Sequence, residues 1–107
     1  MNLNNFTIKS QEAIQQAQQI SMALQNQSIE TGHILKGIIE VDENVTPFIF
    51  QKLGANLNTV KQALDKIVES YPKVSGGNQY LSQNANKALQ KASTLLKEFN
   101  DEYVTIE

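Results

Sequence analysis

The chain has 107 residues, 40% of them apolar, with few aromatics, no tryptophan and a net charge of −2. That length accommodates one small domain, and the mild acidity supplies no long-range attraction to nucleic acid or to an anionic membrane. With no cysteine, a disulfide framework, a thiolate metal site and a cysteine nucleophile are all excluded.

The opening MNLNNFTIKS is polar and lacks the apolar core of a secretory signal. No apolar run approaches the ~20 residues that span a bilayer. A soluble, cytoplasmic protein is therefore expected. After a lead-in at Leu3–Asn5, Thr7 suits a helix N-cap, and Phe6 is placed to pack back on the first turn as a staple. Ser10, Ala13, Ile14, Ala17, Ile20, Ser21 and Leu24 then recur at three- and four-residue spacing, one face of an amphipathic helix. The small residues on that stripe call for close approach of a neighbouring helix. Ile8 and Met22 fall roughly opposite it, as candidates for exposed apolar contacts.

The stretch from Asn26 to Glu30 breaks the pattern, and a second helix is predicted from about Thr31, with Ile34, Leu35, Ile38 and Ile39 on its apolar face. Gly32 and Gly37 each weaken it by ~1 kcal/mol relative to alanine, so tertiary packing must hold it. An acidic loop with Asp42 and Glu43 follows. Thr46-Pro47 reads as N-cap and first helical position of a short helix, Phe48 to Leu53, that stops at Gly54. Asn56 or Asn58 caps a fourth helix, faced by Val60, Ala63, Leu64, Ile67 and Val68 and ended by Tyr71-Pro72. The glycine-bearing segment 72–79 reads as a flexible joint. Ser82 caps a fifth helix with the stripe Ala85, Ala88, Leu89, Ala92, Leu95, Leu96 and Phe99. No segment reads as a strand pair, so the fold class is all-α.

The fifth helix repeats the first. Thr7 matches Ser82, Ile14 matches Leu89 and Ala17 matches Ala92, each pair 75 positions apart. The pattern predicts two pseudo-symmetric helical copies: residues 1–71, a joint at 72–79, and the start of a second copy at 80–107. His33 has no counterpart on this offset, so the chain is expected to be a fragment whose second copy is truncated after its first helix. Several leucines left without their partner helices would forfeit several kcal/mol of burial at ~25 cal/mol per Å².

These residues resemble a known family: the N-terminal domain of Clp-type AAA+ chaperones, in the ClpB disaggregase branch. The resemblance is carried by Phe6-Thr7, by Gln11-Glu12-Ala13-Ile14 with Ala17, and by Ile29–Leu35 with His33. Leu53-Gly54, the Pro72–Gly77 joint, Tyr80-Leu81-Ser82, Leu89–Ala92 and Asp101–Glu107 continue it. It implies an eight-helix domain of two four-helix repeats at the head of each subunit of an ATP-driven hexameric ring. Family members engage exposed stretches of unfolded or aggregated protein there and thread them through the ring. The isolated chain is expected to be a monomer or a weak dimer. No phosphate-binding G-x-x-x-x-G-K-[S/T] loop is present, so this stretch is not expected to be an enzyme or to carry a cofactor.

The resemblance places Thr7, Asp101 and Glu107 near the substrate-binding surface, where each also has a plainer reading as N-cap, turn residue and exposed carboxylate. From the residues themselves, Ile8, Met22, Leu96 and Tyr103 are the candidates for apolar recognition, set against ordinary core or scattered surface roles. His33, the only imidazole, has no second histidine or cysteine to share a metal, and reads as a structural histidine at a helix start. Three functions compete: a substrate-engaging disaggregase module, an adaptor-docking module of a Clp protease regulatory subunit or stand-alone adaptor-like protein, and a small helical enzyme. The last lacks paired histidines, a nucleophile motif or a phosphate loop.

Overall fold

A computed structural model describes residues 3–107; Met1 and Asn2 of the polar N-terminal stretch lie outside the described residues. Helix α1 runs Ile8–Ala23, α2 Thr31–Val41, α3 Val45–Lys52, α4 Leu57–Glu69 and α5 Gln83–Glu98. Two two-residue strands, β1 (Ser28–Ile29) and β2 (Tyr80–Leu81), pair in parallel. The all-α reading therefore holds, with a small addition that periodicity could not reveal: two residues are too short to show an alternation of faces.

The α1–α2 pair forms the body of the first copy. Ala13 and Ala17 are buried on α1, and Gly37 of α2 lies against their backbone. A Cβ on Gly37 would collide with the Ala13 carbonyl oxygen and would stand 3.1 Å from the Ala17 amide nitrogen. The glycine that weakens α2 intrinsically is thus what lets the two helices approach.

Thr7 caps α1 by accepting from the Ser10 amide at 3.1 Å, and Ser82 caps α5 by accepting from the Ala85 amide at 3.0 Å. Both helices end in a left-handed residue 75 positions apart, Gln25 at φ 59° and Asn100 at φ 55°. The turns that follow also match: Asn26 donates to the Ser21 carbonyl at 2.7 Å, and Asp101 to the Leu96 carbonyl at 2.9 Å. Between the copies the pairing is exchanged. Leu81, before α5, pairs with Ile29, after α1; Phe6, before α1, pairs with Val104, after α5.

That exchange revises the role of Phe6. Rather than stapling its own helix, it is buried in a cluster with Leu89 and Val104, with Ile14, Ile34, Leu81, Ala92 and Leu96 packed around it. The junction between the copies is therefore a hydrophobic core in its own right.

The start of α3 also differs from expectation. Asn44 takes the N-cap position, and Thr46 is buried in the first turn. The capping is done by Asp42, whose carboxylate accepts from the amides of Asn44 and Val45 at 3.1 Å each, from the Thr46 amide at 2.6 Å and from the Thr46 hydroxyl at 2.7 Å. Burial raises the Asp42 pKa, but the bonds from the Thr46 hydroxyl and the three amides outweigh it and hold the group at about 2. Pro47 still sits in the first turn, where its missing N–H is not needed.

On α4, capped by Asn56, the buried face is narrower than predicted: Leu64 and Val68 are buried, while Ala63 and Ile67 are exposed. Segment 72–79 is tied down at several points. The Val74 amide donates to the Gln25 carbonyl at 2.8 Å, Lys73 Nζ to the Leu24 carbonyl at 3.0 Å, and Gln79 Nε2 to Ser21 Oγ. Among the described residues no helix is long and apolar enough to cross a membrane.

Candidate functional site

Helix α5 presents to solvent the face that α1 buries. Ala13 and Ala17 are 2% and 0% exposed, yet their counterparts Ala88 and Ala92 are exposed and half-buried. Leu95 and Leu96 are half-buried and Phe99 is 65% exposed, so the lower part of the predicted apolar stripe is an open wall. The cause is geometric. Helix α2 covers α1, whereas nothing within the described residues takes the matching place on α5.

The tail turns back beneath this wall. After Asn100, the Val104 amide donates to the Asn5 carbonyl at 2.7 Å, and the Val104 carbonyl accepts from the Thr7 amide at 3.0 Å and from Ser10 Oγ at 2.9 Å. Wall and tail enclose a groove of about 400 Å³ lined by Ala92, Leu95, Leu96, Phe99, Asp101 and Tyr103–Glu107. A second hollow of about 220 Å³ continues it toward Ile14, Ile34 and Ile38, with Ala92, Val104, Thr105 and Ile106 shared between the two.

Four of the seven predicted site residues meet in this groove: Leu96 on the wall, and Asp101, Tyr103 and Glu107 along the tail. Thr7 stands one step away, its amide bonded to Val104 on the groove floor and its hydroxyl engaged with Ser10. Ile8 and Met22 are exposed, at 77% and 61%, but they do not line the groove. They are also ~21 Å apart along α1 at 1.5 Å per residue.

Leu95, Phe99 and Ile106 line the groove but were not among the candidates. The first two belong to the apolar stripe of α5, which is as regular as a buried one. The available signal was the 75-residue offset, which leaves α5 without a match for α2. Chemically, the groove offers apolar side chains with two carboxylates and a phenol beside them. It can hold an apolar segment; it holds no nucleophile–base pair. Among the described residues no cluster of three or more histidine, aspartate or glutamate side chains could hold a metal.

Residues 5–107 match the Clp repeat (R) N-terminal domain family. The chain belongs to that family. The Clp repeat chain is 55% identical over 107 residues to the chaperone protein ClpB of Bacteroides thetaiotaomicron and 44% identical to that of Porphyromonas gingivalis. All of this chain is aligned in both cases, but it spans only 12% of either relative's length. Among solved structures, it superposes on the N-terminal domain of the ClpV1 ATPase from E. coli with a TM-score of 0.87 at 17% identity, covering 95% of this chain and 63% of that one. The Hsp104 N-terminal domain from Candida albicans gives 0.86 at 16%, covering 96% and 69%. The solved structures confirm the helical fold of a Clp N-terminal domain, and the sequence relatives at 55% and 44% identity are ClpB chaperones.

Proposed function

We propose that this Clp repeat chain is the non-catalytic, substrate-engaging N-terminal module of an ATP-dependent protein disaggregase. It binds exposed apolar stretches of unfolded or aggregated polypeptides and passes them to a hexameric ring formed by the rest of the parent protein, in the cytoplasm. Within it, residues 1–71 form the first repeat, 72–79 the joint and 80–107 the start of the second. The observation that carries the reading is the match of residues 5–107 to the Clp repeat N-terminal domain family, with ClpB chaperones among the relatives. The apolar surface open in this stretch is the groove between α5 and the tail, lined by Leu95, Leu96, Phe99, Tyr103 and Ile106.

Unfolded chains differ from folded ones in showing leucines, valines and aromatics. A groove with apolar walls takes such side chains without reading a sequence, because the gain comes from removing apolar surface from water. Asp101 and Glu107 beside the groove favour segments with a lysine or arginine next to the apolar residues, and Thr7 fixes the floor on which they lie. Ile8 and Met22 extend the apolar contact area outside the groove.

A second reading, docking of a folded adaptor, draws on a different surface. Phe48 and Ile49 on α3, Leu53 at its C-terminal end and Ile67 on α4 are exposed, with Lys52 Nζ 5.4 Å from the centre of the Phe48 ring. A folded partner would use a surface of that kind.

Fluorescence anisotropy with a labelled apolar peptide tests the first reading. The unsubstituted chain should bind weakly and with little dependence on salt, and Leu96→Asp should weaken binding at least tenfold. Equal binding by Leu96→Asp, combined with loss of binding in Phe48→Asp, would transfer the function to α3.

A further inference from the structure

We propose that the neutral side chain of His33 is a proton-sensitive clamp that holds the 72–79 joint on the first helical copy, and that acid releases the joint by protonating it. This goes beyond the binding role and does not depend on it.

The imidazole is completely buried, at 0% exposure, and both ring nitrogens are engaged. Nδ1 lies 2.9 Å from the Glu30 amide nitrogen, and Nε2 lies 2.9 Å from Asn26 Oδ1. The polarity of this chain of bonds is fixed at both ends by backbone groups. A backbone N–H can only donate, so Nδ1 must present its lone pair to Glu30. At the far end the Pro72 carbonyl can only accept, and Asn26 Nδ2 approaches it at 3.0 Å. That orientation turns Oδ1 toward the ring, so Nε2 must carry the hydrogen. The only protonation state that satisfies every member is the neutral Nε2–H tautomer.

A second proton would go to Nδ1, placing N–H against N–H and leaving a charge out of reach of water. Relief requires the ring to leave its pocket, and the ring holds Asn26. Asn26 is itself only 3% exposed, and it bonds the point where the chain leaves Tyr71-Pro72 for the joint. Other anchors of the joint, from Val74 to Gln25, Lys73 to Leu24 and Gln79 to Ser21, are at the same end of α1, and Gln27 Nε2 donates to the Asn78 carbonyl at 3.3 Å. Loss of the Asn26 contact therefore loosens the joint at its first residue.

The groups acting on the ring come from three places. Burial lowers its affinity for a proton; the Glu30 carboxylate, before α2, raises it; Lys36, on α2, lowers it. Tyr71, whose ring centre is 5.0 Å away, stays neutral in acid. The balance puts the folded group below the ordinary 6.5. The unfolded chain then binds the proton first as pH falls, so the clamp begins to lose stability below about 6.5 and the loss is complete once the buried ring itself protonates.

The test is an NMR titration of the uniformly 15N-labelled 107-residue chain, reading both the histidine ring nitrogens and the backbone amides from about pH 7.5 to about pH 4. The expected result is the Nε2–H tautomer at neutral pH and a titration below 6.5, with the amide signals of Glu30, Val74 and Gln79 shifting in the same step. His33→Gln is the control, since a glutamine at this position can still accept from the Glu30 amide but does not titrate; it should abolish the step in the joint. An Nδ1–H tautomer, protonation without movement of Val74 and Gln79, or an unchanged acid response in His33→Gln would each overturn the proposal. If His33→Gln does not fold, the tautomer and the coupled shifts in the unsubstituted chain decide the matter.

Discussion

The amide of Thr7 donates to the carbonyl of Val104 at 3.0 Å, and this bond has a twin: the amide of Ser82 donates to the carbonyl of Ile29 at 2.9 Å. Each first member follows the residue that opens a helix copy, and each second member follows that helix in the other copy. The two halves are thus held by mutual exchange. One difference remains: Ser10 adds a hydroxyl bond to Val104, whereas its counterpart is Ala85, which has no hydroxyl to offer.

If the junction is a core, Phe6 is its most sensitive point. Phe6→Ala should destabilise the chain by ~3 kcal/mol, the usual cost of emptying a buried aromatic site. Ile8→Ala, two residues away and exposed, should change stability by less than ~0.5 kcal/mol. Urea unfolding followed by circular dichroism measures both.

The helices, their caps at Thr7, Asn56 and Ser82, and the stop at Gly54 were legible in the sequence because each rests on a local rule. The duplication was legible because its offset is constant. The exchanged strand pairs were not: they join residues some fifty to a hundred positions apart through backbone groups that carry no side-chain signature. Asp42 lies in the expected loop, but its capping role was not legible because its partners are three backbone amides and one hydroxyl. Of the seven candidate site residues, the structure brings Leu96, Asp101, Tyr103 and Glu107 into one groove, a grouping that sequence spacing does not give. Phe99 and Leu95 fall on the apolar stripe of α5, and a stripe alone does not separate a buried face from an open one.

The close approach of α1 and α2 should depend on the missing side chain at Gly37. Gly37→Ala places a methyl group on the Ala13 carbonyl, an immobile backbone atom. A loss of ~2 kcal/mol is expected, with α2 displaced, as for overpacked cores. Gly54→Ala meets no neighbour and is strained only by its positive φ of 72°, so ~1 kcal/mol is expected there. Thermal unfolding of the two variants should rank them in that order.

Asp42 should shape the acid limb of stability. Its folded pKa of about 2 lies below the ordinary 3.8. Its contribution is therefore full above the ordinary value and lost as pH falls through the folded one. Asp42→Asn, which cannot titrate, should be less stable than the parent at neutral pH, and the gap should narrow between about pH 4 and about pH 2. Denaturant midpoints across that range check it; a constant gap would mean that the carboxylate charge contributes nothing.

The groove itself is tested most directly by chemical-shift mapping with a permanently unfolded client protein. Perturbations centred on Leu95, Leu96, Phe99, Tyr103 and Ile106, and weakened by Leu96→Asp, are the predicted result. A spectrum that does not respond, or a response confined to Phe48, Ile49 and Leu53 on and just after α3, would contradict it.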